Sequence, residues 1–280
     1  MPSVLSEQGV VFHTLERGDV KRIGRVLGAG ADLVVDLLAF SAAEIEARLP
    51  LWTDAESVVV ASSRAVYIDA EARHINGQHP PQFAVPIPES NPTLAPAAPG
   101  TDPFTREGYG PSKVAVERAA LESGLPVTVI RPSKVHGRWA RNARTRTIAE
   151  QMLRGADSIS LASRGAAVDH LSAAENIASL IHTAAQKPGA RILNAADPDP
   201  LTAAQIVETI AETLDWDGEL RLLEPGAPGG DHPWNAAHPI ILETSAATDL
   251  GWLPVTSGRE LLRDEVRWVA AHTARAASPG

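Results

Sequence analysis

Tyr109-Gly110-Pro111-Ser112-Lys113 carries the residue types and spacing most suited to chemistry. A helical pattern begins there, so the phenol and the ammonium lie four residues apart, one turn from each other on one face. A free phenol has a pKa of about 10. An ammonium near 4 Å, at an effective dielectric of about 20, favours a phenolate by roughly 4 kcal/mol, enough to bring such a group toward neutrality and make it a base. A surface tyrosine and a solvated lysine on an ordinary amphipathic helix would give the same spacing. The surroundings favour chemistry. Ser57 to Ala61 is a β-branched run that ends on the hydroxyls Ser62 and Ser63, and Val127 to Arg131 is a second run that enters a loop at Pro132 and Ser133. In parallel sheets chemistry collects at the carboxyl ends of strands, so Ser63, the Tyr109 helix and the Ser133 loop are expected to converge.

The elements that must position these groups alternate between short apolar runs and helical patterns, which argues for an α/β fold with a parallel sheet. Strands are expected at Val10 to Leu15, Leu33 to Ala39, Ser57 to Ala61, Val127 to Arg131 and Arg191 to Asn194. Capping boxes mark helix starts at Ser41/Glu44, Ser172/Glu175, Thr202/Gln205 and Ser257/Glu260. Gly28 and Gly30 precede a strand, so they read as the stop of a helix around Val20 to Leu27 and not as a phosphate turn. Two Pro- and Gly-rich stretches, Ile68 to Gly108 and Glu224 to Pro239, read as long loops, the first placed over the presumed pocket.

In motif order the chain resembles the extended short-chain dehydrogenase/reductases, the NAD-dependent epimerase/dehydratase family. The resemblance rests on the serine strand running into Ser62-Ser63-Arg64-Ala65-Val66-Tyr67, the YxxxK of Tyr109 and Lys113, and the loop Arg131-Pro132-Ser133-Lys134-Val135-His136-Gly137. Ala196 to Pro200 and Asp249-Leu250-Gly251-Trp252-Leu253-Pro254 add to it. It implies a Rossmann-like parallel sheet with a small C-terminal substrate lobe, divided as residues 1–165 for the core and 166–280 for the last core elements and the lobe. It also implies roles: Tyr109 as general acid/base, Lys113 as its cationic partner and Ser63 as the hydroxyl that orients the substrate oxygen. Asp19 and Ala39 would face NAD or NADP, and Arg64, Ser133, His136, Arg138 and Trp139 a small substrate bearing a hydroxyl or carbonyl.

One departure stands out. The family opens with a strand, a glycine-rich turn and a helix that cradle the cofactor pyrophosphate, whereas Gly9 to Asp19 already resembles the family's third strand and the Asp after it. The sheet is therefore expected to be truncated at its N-terminus, leaving the strand at Leu33 to Ala39 with an open edge. Val10 to Leu15 moving in beside it is the simplest cover, a homodimer or a partner chain the second, and a native start other than Met1 the third. Three functions follow: a nicotinamide-dependent oxidoreductase or epimerase, a cofactor-free acid/base enzyme such as a lyase, isomerase or cyclase, and a non-catalytic binding protein.

Composition narrows the partners. A net charge of −9 disfavours nucleic acid. The local basic cluster Arg138, Arg141, Arg144 and Arg146 reads either as a solvated helix start or as a grip on a substrate phosphate or carboxylate. The absence of cysteine excludes disulfides and thiolate chemistry, and the nine histidines show no metal-binding spacing, so no metal is expected. Met1 to Gln8 has no basic leader and long apolar run, and no stretch is apolar enough to span a bilayer, so a cytoplasmic protein is expected.

Overall fold

The computed structural model describes residues 8–276, so the reading of Met1 to Gln8 as lacking a leader lies almost wholly outside the described residues. Four parallel strands form the central sheet: β1 (Ala31–Asp36), β2 (Ala55–Ala61), β3 (Val127–Pro132) and β7 (Arg191–Ala195), in the order β1-β2-β3-β7. Their alternation sorts side chains onto two faces. Val58, Val60, Val127 and Val129 pack under α2 (Ala42–Trp52) and α3 (Arg106–Leu121). Val59, Ala61, Ile130 and Leu193 face α5 (Ala174–Gln186) and the short α7 (Ser245–Asp249). The result is the expected Rossmann-like three-layer α/β sandwich.

A second core lies beyond the carboxyl ends of the strands. It gathers α4 (Arg144–Leu153), α6 (Ala203–Thr213) and α8 (Gly258–Ala276) around Leu161, Ile206, Trp234 and Leu262. Two small parallel pairs stitch it together: β4 (Lys134–His136) with β6 (Leu171–Ala173), and β5 (Ser158–Leu161) with β8 (Glu219–Leu222).

The edge of the sheet departs from expectation. Val10 to Leu15 forms no strand; Val10, Val11 and Phe12 are exposed, and among the described residues β1 pairs with β2 alone. The helix that follows, α1 (Val20–Leu27), brings Gly24 against Leu51 of α2 but buries none of its own residues. Asp32 and Asp36 lie on this open strand, and charge on an edge discourages further pairing. Gly28 ends α1 with φ +67°, the stop expected of it. The boxes at Ser41/Glu44 and Thr202/Gln205 both form, and the Ser257 hydroxyl accepts from Glu260 N. Ser172 caps nothing. It lies in β6, where its hydroxyl donates to Ala195 O and accepts from Ser133 N, so the loop after β3 claims it first.

A buried network ties α3 to the sheet. Glu117 takes both arms of Arg131, at 2.8 and 2.6 Å, and also accepts from the Ser62 hydroxyl at 2.5 Å. Arg131 lies 4.8 Å over the Tyr67 ring and donates to Glu89 O, and the Tyr67 hydroxyl donates to Asn194. The Pro-rich segment is held to this frame. Asp69 accepts from Glu71 N, Arg73 N and Gln82 N, while Arg106 donates to Asn76 O and Gly77 O.

Removing one partner of a buried ion pair strands the other and costs about 3–5 kcal/mol. Glu117→Gln is therefore expected to lose stability of that order in urea unfolding. Glu117→Leu combined with Arg131→Met should recover most of the loss; equal losses in the single and double variants would show that the pair does not hold α3 to β3.

Candidate active site

At the carboxyl ends of β2 and β3 the structure opens a cavity of about 650 Å³ that Ser63, Arg64, Tyr109, Lys113 and Ser133 all line. β2 delivers Ser63 as the cap of a single 3-10 turn, Arg64–Val66, where its hydroxyl oxygen accepts from Ala65 N at 3.1 Å. That bond leaves the Ser63 O–H free to donate into the cavity. Tyr109 is half-buried one turn into α3, which starts on the Thr105 cap. α3 can approach the turn closely only because residue 110 is glycine: a Cβ there would stand 2.6 Å from Leu94 Cδ1 and 2.7 Å from Ala65 O. The Tyr109 hydroxyl makes no hydrogen bond among the described residues.

Lys113 is buried, and its ammonium donates to Ala39 O at 2.8 Å and Ala61 O at 2.9 Å. Phe40 lies across it, ring centroid 4.5 Å from Nζ, and meets the Tyr109 ring at 6.5 Å. Burial is the main influence on Lys113 and lowers it to about 8, against the pull of Asp36 and Glu44.

Not every expected residue reaches the cavity. Asp19 caps α1 by accepting from Arg22 N and does not line it. Ala39 contributes only the carbonyl that holds Lys113. His136 is buried between Asp197 at 3.0 Å and Glu265 at 3.1 Å, which joins β4 to α8. Arg138 points outward, 3.5 Å from Glu175, and Trp139 is 67% exposed, its ring tilted against Trp268 at 5.0 Å. The turn at Gly137, φ +133°, separates these two from the strand that carries Lys134.

Sequence reasoning passed over Phe40, Lys134 and Asp169, and gave Arg144 no place apart from its cluster. Arg144 and Lys134 line the cavity, and Asp169 lies behind, accepting from both Arg64 and Lys134. Lys134 stands in the quoted loop and Arg144 in the basic cluster; Asp169 carries no signal in its neighbours. Among the described residues no group of His, Asp or Glu is placed to hold a metal ion. No described helix is long and apolar enough to cross a membrane.

No family model matches the chain, and no curated protein matches it. Solved structures do. UDP-glucose 4-epimerase of Thermotoga maritima, solved with UDP-glucose, superposes with a TM-score of 0.67 at 19% identity, over 95% of this chain and 86% of that one. The dTDP-glucose 4,6-dehydratase of Bacillus anthracis, in complex with NAD, gives 0.65 at 19% identity, over 94% and 80%. RMD from Pseudomonas aeruginosa, complexed with NADPH, gives 0.66 at 17% identity, over 93% and 89%. The fold is theirs. The resemblance read from the motifs is thus matched in three dimensions by an epimerase and by a dehydratase solved with NAD.

The epimerase fold still has to be asked whether this chain's residues suit such a cofactor. A dinucleotide lies where strand order reverses, with its pyrophosphate on the free N–H groups of a helix start. Among the described residues the order β1-β2-β3-β7 contains no reversal. The starts of α1, α2 and α3 are filled by Asp19, by Ser41 with Glu44, and by Thr105, whose oxygens take N–H groups that an anion would need. The starts of these three helices therefore do not fit a dinucleotide pyrophosphate; those of α4 and α5, whose first residues line the cavity, carry no side-chain cap.

The His136 triad generates a pH signature. Burial works against the imidazolium, but the hydrogen bonds and charges of Asp197 and Glu265 outweigh it and raise His136 to about 9 from 6.5. A gap of that size is worth about 3 kcal/mol. Because the folded value is the higher one, this stability is complete below about pH 6.5 and drains away as pH rises through about 9. Urea unfolding across pH 6 to 10 should show that decline, and His136→Leu should flatten it; a decline of the same size in the variant would assign it elsewhere.

Proposed function

We propose that this chain is an acid/base enzyme of the epimerase/dehydratase fold, acting on a small molecule through a hydroxyl or carbonyl oxygen. The observation that carries this reading is that Ser63, Tyr109 and Lys113, from two separate segments, share one cavity wall. In this scheme the Ser63 O–H donates to the substrate oxygen and steadies negative charge on it. Tyr109, with no competing hydrogen bond, exchanges a proton with the substrate. Lys113 supplies the positive charge that favours the phenolate, fixed in place by two carbonyls and the face of Phe40.

That set is sufficient for isomerisation or dehydration, in which a proton leaves one atom and another is returned with no net redox change. The capped starts of α1, α2 and α3 favour this over hydride transfer, the reaction type suggested by the NAD and NADPH of two solved neighbours. Millimolar NAD and NADP are expected to leave the melting temperature unchanged; a rise of several degrees with either would return the site to hydride chemistry.

With a substrate in hand, Tyr109→Phe should cut turnover by at least about a hundredfold, and wild-type turnover should fall above pH 8 as Lys113 loses its proton.

A further inference from the structure

The cavity has a charge that the rest of the protein does not share. The chain carries net −9, yet the charged residues lining the cavity are Arg64, Lys113, Lys134 and Arg144, with no carboxylate among them. Among the described residues Asp169 is the one carboxylate in a salt bridge with any of the four, while Asp36 and Glu44 act on Lys113 without pairing with it. Asp169 is buried and shared between Arg64 and Lys134, so it can balance one of the two. Lys113 is held by carbonyls, and Arg144 donates to Val135 O at 2.9 Å and pairs with no carboxylate among the described residues. The crowding is felt: burial first, then the charges of Arg64 and Arg144, hold Lys134 below the ordinary lysine range although Asp169 opposes them. Cations gathered in a partly desolvated cleft repel one another, and a bound anion relieves that repulsion while accepting their N–H groups.

The cleft continues past this cluster. A smaller cavity of about 390 Å³ shares Arg64, Ile75 and Lys134 with the first and is lined also by Arg106 and by Asp169, the carboxylate already shared by Arg64 and Lys134. Arg64 and Lys134 therefore stand where the two cavities meet.

We propose that the substrate is itself an anion, a hydroxy or oxo compound bearing a carboxylate or a phosphate ester, with its acidic group seated between Lys134 and Arg144 and its reacting oxygen toward Ser63 and Tyr109. This rests on the acid/base reading for the reacting end only; the anion seat stands on the charge and geometry of the cleft. It makes Lys134 and Arg144 the residues that select substrate, with Asp169 as the positioning residue that keeps Arg64 and Lys134 side by side.

Malonate and inorganic phosphate serve as probes, titrated at constant ionic strength with chloride and read by calorimetry and melting temperature. Both are expected to bind, and whichever binds the more tightly identifies the acidic group as carboxylate or phosphate. Arg144→Gln, at a half-buried position, and Lys134→Met, which leaves Asp169 paired with Arg64, should each weaken binding roughly tenfold or more. Tyr109→Phe should bind both probes as the wild type does. Absence of binding by either probe, or variants at 134 and 144 that bind like the wild type, would overturn the inference. The two readings fail separately: intact anion binding with full turnover in Tyr109→Phe removes the acid/base role alone, and lost turnover in Tyr109→Phe without any anion binding removes the anion seat alone.

Discussion

The buried pair Glu117–Arg131 is the constraint on which the rest of the site depends. Glu117 belongs to the helix that carries Tyr109 and Lys113, Arg131 to the strand that delivers Ser133, and Ser62, bonded to the same carboxylate, precedes Ser63. One carboxylate thus fixes the relative positions of the three segments that wall the cavity. Because both charges are buried and bidentately matched, neither can drift without leaving the other unpaired, which gives the site a rigidity that packing alone seldom provides. Through Arg131 and Tyr67 the same network reaches Asn194, whose amide donates to Ile87 O and Glu243 O, so the long Pro-rich segment is part of the frame and not a loose cover.

Much of this was legible in the residues, and the reasons differ from place to place. Ser57 to Ala61 and Val127 to Arg131 are β-branched runs buried on both faces, a pattern with one comfortable solution, and both are strands. The convergence of Ser63, Tyr109 and Ser133 follows from parallel strands ending on the same side. Val10 to Leu15 has an equally strand-like composition, but strand formation needs a partner, and among the described residues this segment pairs with none. Ser172 and Glu175 have the spacing of a cap; a competing carbonyl at Ala195 decides otherwise, and local sequence does not contain it. His136 sits in a motif-bearing loop, yet its partners Asp197 and Glu265 are 61 and 129 residues away and claim its ring for the lobe. Contacts across such separations are set by tertiary packing and leave no spacing to read.

The epimerase fold and the local chemistry speak to different questions. Superposition at under a fifth identical residues establishes the arrangement of strands and helices, and function then has to be argued from the site. Ser63, Tyr109 and Lys113 line one cavity, and the starts of α1, α2 and α3 are closed by their own side chains. A fold associated in these neighbours with cofactor binding here presents a positively charged cleft of modest size.

The path of the backbone between its two cores has a mechanical consequence. Strand β7 is laid into the central sheet only after the chain has built α4, β5 and α5, and the chain then returns to complete the lobe with α6 and α8. Neither body owns a continuous stretch of polypeptide. Sheet and lobe are laced together like two eyelets on one cord, so slack introduced in either is drawn from the other.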